Sequence, residues 1–360
     1  MCVVRRRKDK AFFPHGPLSF KKMSVGERFF KKIYYFRSVL QTRIITTSNE
    51  MPALTNRKFF QSAELFELCE QASGQQPLMV VAERNGAPVA HLLAVVRRRG
   101  SLVPPYLFTQ CRVYGVGEYD NDDEREELFP PMLAALTAAV RRKGCLNIEF
   151  SELPQKMFAY KHFRSEGYFP VHWMEVHNSL HSTPPIDRLE DKTLAKIRSA
   201  ERNGVTFKEV ESEDEFHTFY KLVSRFPSLK VRRYLPPRRQ FLEMWRRRSC
   251  RFFVSQWKGK VVGGCTCAYS EDNAYLWFLG AKRKSHPRLH PATFTVWGTI
   301  SDAYARGCRH IYFMDVGLPF KKSAYREFIL SFGGKEVSTY RWFRFSFAPL
   351  NRLLSWIYKE

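Results

Sequence analysis

The chain has 360 residues, 44% hydrophobic and 15% aromatic, which can bury a large core and exceeds the usual length of one domain. Its 59 Lys and Arg against 35 Asp and Glu leave a formal charge of +24 that runs through aromatic-rich sequence, so disordered, collagen-like and coiled-coil classes are excluded. No apolar run is long enough for a membrane-spanning helix, and Met1–Lys8 lacks the apolar stretch of a signal peptide, so a soluble, cytoplasmic protein is expected.

So basic a surface attracts polyanions: nucleic acid, an anionic membrane face, or phosphorylated and nucleotide-linked substrates. Residues 1–50 hold twelve Lys and Arg against three acids and show no sustained period, which reads as a basic N-terminal extension. Eight cysteines lie far apart in a long chain, so reduced, mostly buried thiols are expected rather than a disulfide framework.

From Leu78 the text becomes regular. Leu78–Glu83 and Val89–Val96 read as two strands joined by an Asn85-Gly86 turn, and the phrase returns as Arg251–Gln256 and Val261–Ala268 around Lys258-Gly259. A second echo follows: an alanine-rich helix from Pro130 to Lys143 stops at Gly144 before a strand at 146–150, and a helix from Pro291 to Arg306 stops at Gly307 before a strand at 309–313. A third pairs Tyr160–Phe163 before Gly167 with Tyr325–Phe328 before Gly333-Gly334. Three echoes in order predict two copies of one α/β unit, each running hairpin, further strand, helix, strand, short helix, strand. The expected layout is an extension over 1–50, a first copy over 51–181, a second over 182–347 and a C-terminal amphipathic helix over 348–360. A helix is also predicted over Ile186–Asn203, with Arg188, Lys192 and Lys196 on one basic stripe.

The repeated unit resembles the GNAT acyltransferase fold. Doubled, with Lys196-Ile197-Arg198-Ser199-Ala200-Glu201-Arg202-Asn203-Gly204-Val205 opening the second copy, it is similar to the FemABX family and the related BioF2-like acetyltransferase domain. Tyr234-Leu235-Pro236-Pro237, Tyr275–Ala281, Tyr312–Gly317 and Phe328–Gly334 extend the likeness. The resemblance implies a mixed α/β architecture of two tandem GNAT-like domains. It further implies transfer of an amino acid from aminoacyl-tRNA to an amino group of a peptidoglycan precursor or, in the BioF2-like case, use of acyl-CoA on a sugar or small amine. Two departures stand out. Ile329 occupies the position where the family often has lysine, with Arg326 and Lys335 the nearest cations, and the GNAT pyrophosphate loop spacing is missing after Phe278.

Acyl transfer to an amine requires a route for the amine proton and stabilisation of an oxyanion. Asp315, where a buried strand gives way to a Gly-containing loop, is a candidate to orient or deprotonate the acceptor, with capping of the turn before Gly317 as its alternative role. Tyr275 is a candidate donor to the oxyanion or a phosphate, or an ordinary strand tyrosine. Lys282 and Arg283 follow that strand, where donor phosphates would lie, and Arg198 and Arg326 join them as candidate substrate-binding cations. Arg232 and Tyr234, beside Pro236-Pro237, combine charge and stacking suited to a nucleotide-linked substrate. The long segment Gly100–Glu127, with Tyr106 and Tyr119, is expected to wall an acceptor cleft.

Cys265-x-Cys267 and His286-x-x-x-His290 lack the context of a ligand set, so no metal is expected and no bound cofactor. The expected co-substrate is aminoacyl-tRNA or acyl-CoA. Expected partners are tRNA and a nucleotide- or lipid-linked envelope precursor, with peripheral membrane contact through the C-terminal helix. An RNA-binding protein that keeps the fold without catalysis is the alternative from another class.

Overall fold

The computed structural model describes residues 40–100, 107–225, 234–314, 316–318 and 322–358. The predicted hairpins form as strands β2 (Gln75–Arg84) with β3 (Ala87–Gly100), and β9 (Arg251–Trp257) with β10 (Lys260–Ser270). Both turns place their two central residues in the left-handed region, Asn85 and Gly86 in one and Lys258 and Gly259 in the other, matching the twist of the strands they join. The remaining strands are β1 (Leu40–Ile45), β4 (Leu107–Tyr114), the two-residue β5 (Glu118–Tyr119), β6 (Asn147–Ser151), β7 (Phe169–Ser179), β8 (Val205–Glu209), β11 (Asn273–Ala281), β12 (His310–Phe313) and β13 (Lys335–Phe345).

Apart from β5, which pairs with β3, the strands form one sheet in the order β1-β2-β3-β4-β6-β13-β7-β12-β11-β10-β9-β8. The order is a palindrome in the two copies. The closing strand of the second copy, β13, lies beside β6 of the first, and the closing strand of the first, β7, lies beside β12 of the second. Among the described residues only β4 with β6 and β11 with β12 run parallel, one such pair in each copy.

One face of the sheet carries Leu78, Val80, Leu92, Ile148 and Phe150 against the helices Arg125–Arg142 and Tyr160–Ser165. Along the same face Leu276, Ile311 and Phe313 share a cluster with residues of the helices Pro291–Ala305 and Ala324–Leu330. On the other face Met79, Val81 and Leu93 from one wing join Phe252, Val254 and Trp277 from the opposite wing in a single cluster, with the helices Ala63–Glu70, Glu213–Ser224 and Arg238–Arg246 between them. Side chains at opposite ends of a twelve-strand path can meet only if the sheet curls, so this face is concave. Glu67 and Arg247, 2.9 Å apart, tie the wings together at the surface.

The helix predicted from Ile186 to Asn203 is broken. A 3-10 turn covers Pro185–Arg188, Leu189 is extended, and the α-helix begins at Asp191, because Glu190 N–H bonds the Ser331 carbonyl at 3.2 Å instead of continuing the helix. Arg188 therefore leaves the basic stripe, while Lys192 and Lys196 stay exposed on the helix. The helix predicted from Pro130 starts earlier, at Arg125, and carries Pro130 and Pro131 within it. All seven cysteines among the described residues are buried free thiols.

Candidate active site

The concave face is polar at its centre. Arg112 pairs with Glu149, which also accepts from Arg341 at 3.2 Å and from Gln110 Nε2 at 2.7 Å; all four side chains are buried. Arg341 lies 4.0 Å over the Trp173 ring and 3.6 Å from Glu152. Buried charges persist only when paired this closely, so the array fixes β4, β6 and β13 in register under the site.

Beside it opens a cleft of about 240 Å³ whose lining includes Phe60, Gln61, Tyr114, Gly117, Glu152, Glu175, His177, Tyr275 and Tyr312. Both copies and the exchanged strand β7 contribute. In register across β11, β12 and β7, Tyr275 stands opposite Tyr312 and Tyr312 opposite His177. The two phenol rings stack at 5.1 Å, and the imidazole meets Tyr312 edge-on at 4.7 Å. Two residues along β7, Glu175 Oε2 lies 2.9 Å from His177 Nε2. Its other oxygen, Oε1, is buried without a hydrogen-bond partner among the described residues.

Burial, and after it the neighbouring Tyr312, pushes the Tyr275 phenol above its ordinary pKa; burial and then Glu175 do the same for Tyr312. Both stay protonated as O–H donors near neutral pH. Gly117 closes the wall with φ +102°, and a Cβ there would lie 2.6 Å from the His91 carbonyl, so the chain passes this point only as glycine. Beneath it Gln61 is clamped by donating to the Tyr114 carbonyl and accepting from Leu93 N–H at 2.7 Å.

The two copies differ at their parallel pairs. In the first, β4 and β6 end together, Tyr114 against Ser151. In the second, pairing stops at Leu276 with Phe313, while β11 continues through Trp277–Ala281 with no strand beside it on that edge among the described residues. Beyond Tyr275 and Tyr312 the two strands therefore pair for only one more residue.

Of the residues singled out in the sequence, Tyr275 lines the cleft. Tyr119 does not; it is fully buried in the first copy's core, its hydroxyl donating to the Val116 carbonyl at 2.6 Å, because the chain turns it inward after Gly117. Lys282 and Arg283 lie on the surface at the far end of β11, seven residues and roughly 23 Å of extended strand from Tyr275. Arg198 is exposed on its helix. Arg326 is buried, donating to the Leu318 carbonyl at 2.9 Å and pairing with Glu336 at 2.9 Å, which ties the helix Ala324–Leu330 to β13. Tyr234 lies under Arg97 at 4.4 Å, and burial pushes its phenol up to about 12. Asp315, Arg232 and Tyr106 lie outside the described residues, as does most of the basic extension. His177, Glu175 and Glu152 were not singled out in the sequence, Tyr312 entered only with the Tyr312–Gly317 likeness, and Tyr114 belongs to the long segment expected to wall the cleft, which it lines; alternating polar residues at 175 and 177 are the local trace of the pair. Among the described residues no group of three or more His, Cys, Asp or Glu is placed to hold a metal, and no helix is long and apolar enough to cross a membrane.

Residues 191–322 match the family model described as the acetyltransferase (GNAT) domain. The structure is similar to that of FemX, with a TM-score of 0.58 at 10% identity over 82% of this chain and 94% of that one. It is also similar to a tandem GNAT protein from the clavulanic acid biosynthesis pathway, with a TM-score of 0.53 at 12% identity over 86% and 99%. A comparison with curated proteins gives no match. The chain is an acyltransferase with a tandem GNAT fold, and its second copy carries the GNAT acetyltransferase domain.

Proposed function

We propose that the protein is an N-acyltransferase moving an acyl or aminoacyl group onto an amino group of a cell-envelope precursor, with its copies divided near 51–181 and 182–347. The cleft holds the acceptor, and the donor's acyl end enters from the second copy, where β11 and β12 stop pairing at Leu276 and Phe313. The observation that carries the reading is the His177–Glu175 pair set against two protonated phenols. A neutral amine entering the cleft donates an N–H to Glu175 Oε1, a buried carboxylate oxygen without a hydrogen-bond partner among the described residues.

With Nε2–H donated to Glu175, His177 Nδ1 holds the lone pair that takes the amine proton. The amine nitrogen attacks the acyl carbonyl carbon, and Tyr275 and Tyr312 donate to the oxyanion. As the tetrahedral centre collapses, the bond to the donor's sulfur or oxygen breaks and His177 returns the proton to that atom. Asp315, which follows β12 in the sequence, orients the acceptor, and Lys282 and Arg283, past the end of β11, meet donor phosphates.

The GNAT match in the second copy favours acyl-CoA as an alternative donor, with a sugar or small amine as acceptor. Calorimetry with acetyl-CoA, charged tRNA and uncharged tRNA decides between them. Preference for charged tRNA supports aminoacyl transfer to an envelope precursor; acetyl-CoA binding alone removes that reading; equal affinity for charged and uncharged tRNA without transfer supports an RNA-binding role instead.

A further inference from the structure

We infer that the C-terminal helix Ala348–Ile357 is a docking surface for an anionic lipid bilayer, a property independent of the acyl-transfer reading. Eight large apolar side chains are exposed among the described residues, and four of them fall between 347 and 357: Phe347, Leu353, Trp356 and Ile357. Trp356 is 72% exposed, the highest of the eight. This is not a loose end. The inner side of the helix is fixed by Asn351, which accepts from Phe345 N–H at 2.8 Å and donates to the Gly167 carbonyl at 2.9 Å. Tyr358 stacks on Phe169 at 5.7 Å. The helix thus holds Leu353, Trp356 and Ile357 outward in a fixed array.

Charge selects the occupant. Residues 337–358 contain no acid, and Arg352 is exposed beside Leu353. Ser346, one residue before Phe347, bonds the Leu146 carbonyl at 2.9 Å and that of Cys145. These bonds hold Ser346 against the turn that follows the exposed Arg141, Arg142 and Lys143 at the end of the helix Arg125–Arg142. An apolar stripe containing Trp, rimmed by cations whose stems cover apolar surface, fits the headgroup layer of an anionic membrane.

Flotation of the full chain with vesicles of phosphatidylcholine alone, and of phosphatidylcholine and phosphatidylglycerol in equal parts, tests this. Binding is expected to the anionic vesicles, lowered about tenfold or more by the double variant Leu353→Ser, Trp356→Ser. Arg141→Gln, Arg142→Gln, Lys143→Gln should weaken it in parallel with added salt. All these positions are exposed, so an unchanged melting curve verifies folding of the variants. Failure of the wild type to bind anionic vesicles, or undiminished binding by the apolar variant, overturns the proposal. So does a wild-type dimer that the apolar variant disperses in ultracentrifugation without any vesicle binding, since a second copy then covers the stripe.

Discussion

His177 and Tyr312 face each other on strands from different copies, their rings 4.7 Å apart and perpendicular, because β7 has crossed to pair with β12. The candidate base and a candidate oxyanion donor are thus brought together by strand exchange, and neither copy alone contains both.

Replacing His177 with Gln should keep the site's shape and remove the proton acceptor. We expect kcat to fall by about 100-fold or more with KM little changed. Glu175→Gln, which leaves the imidazole in place but without its carboxylate, should cost less. Steady-state kinetics on the two variants checks the order.

Tyr275→Phe removes one O–H donor from the proposed oxyanion site while the stacked ring remains. A loss of about 100-fold in kcat is expected, with donor affinity retained in a direct binding measurement. Loss of binding with unchanged kcat would instead make Tyr275 a donor-recognition residue.

Glu149 holds two buried guanidinium groups, those of Arg112 and Arg341. Glu149→Gln removes the charge these two buried guanidinium groups share, leaving Glu152 for Arg341, and should destabilise the fold by about 3 kcal/mol, read as a lower urea midpoint at constant slope.

Burial lowers the pKa of His91, His290 and His310 from an ordinary 6.5. Glu118, Asp120 and Lys58 face His91, and burial outweighs the carboxylates. The folded state binds fewer protons than the unfolded one in the window beneath 6.5, so this stability is fully present above it and lost as pH falls through the lowered values. Urea denaturation at about pH 7.5 and about pH 5.5 should give the lower midpoint in acid, and His91→Gln should shrink the difference.

Much of this fold is legible in the sequence, because hairpin turns and glycine helix stops are local. Asn85-Gly86 and Lys258-Gly259 mark both hairpins, Gly144 and Gly307 mark two helix ends, and Tyr275 is visible at the head of its strand. The exchange of β7 and β13 is not legible. A strand reading His172-Trp173-Met174-Glu175-Val176-His177 pairs equally well with either copy on pattern alone, so the alternation of Glu175 and His177 shows a polar strand face and not the site they complete. The same holds for Tyr119, whose inward turn depends on Gly117 approaching the His91 carbonyl.

The most direct test is product mass. Wild-type protein and His177→Gln are each incubated with labelled acetyl-CoA or charged tRNA and a panel of amine acceptors that includes lysine-containing peptidoglycan precursors. The account predicts an amide-linked product from the wild type and about 100-fold slower formation by the variant, which still binds the donor. Equal rates from both proteins, or labelled ester and no amide, would contradict it.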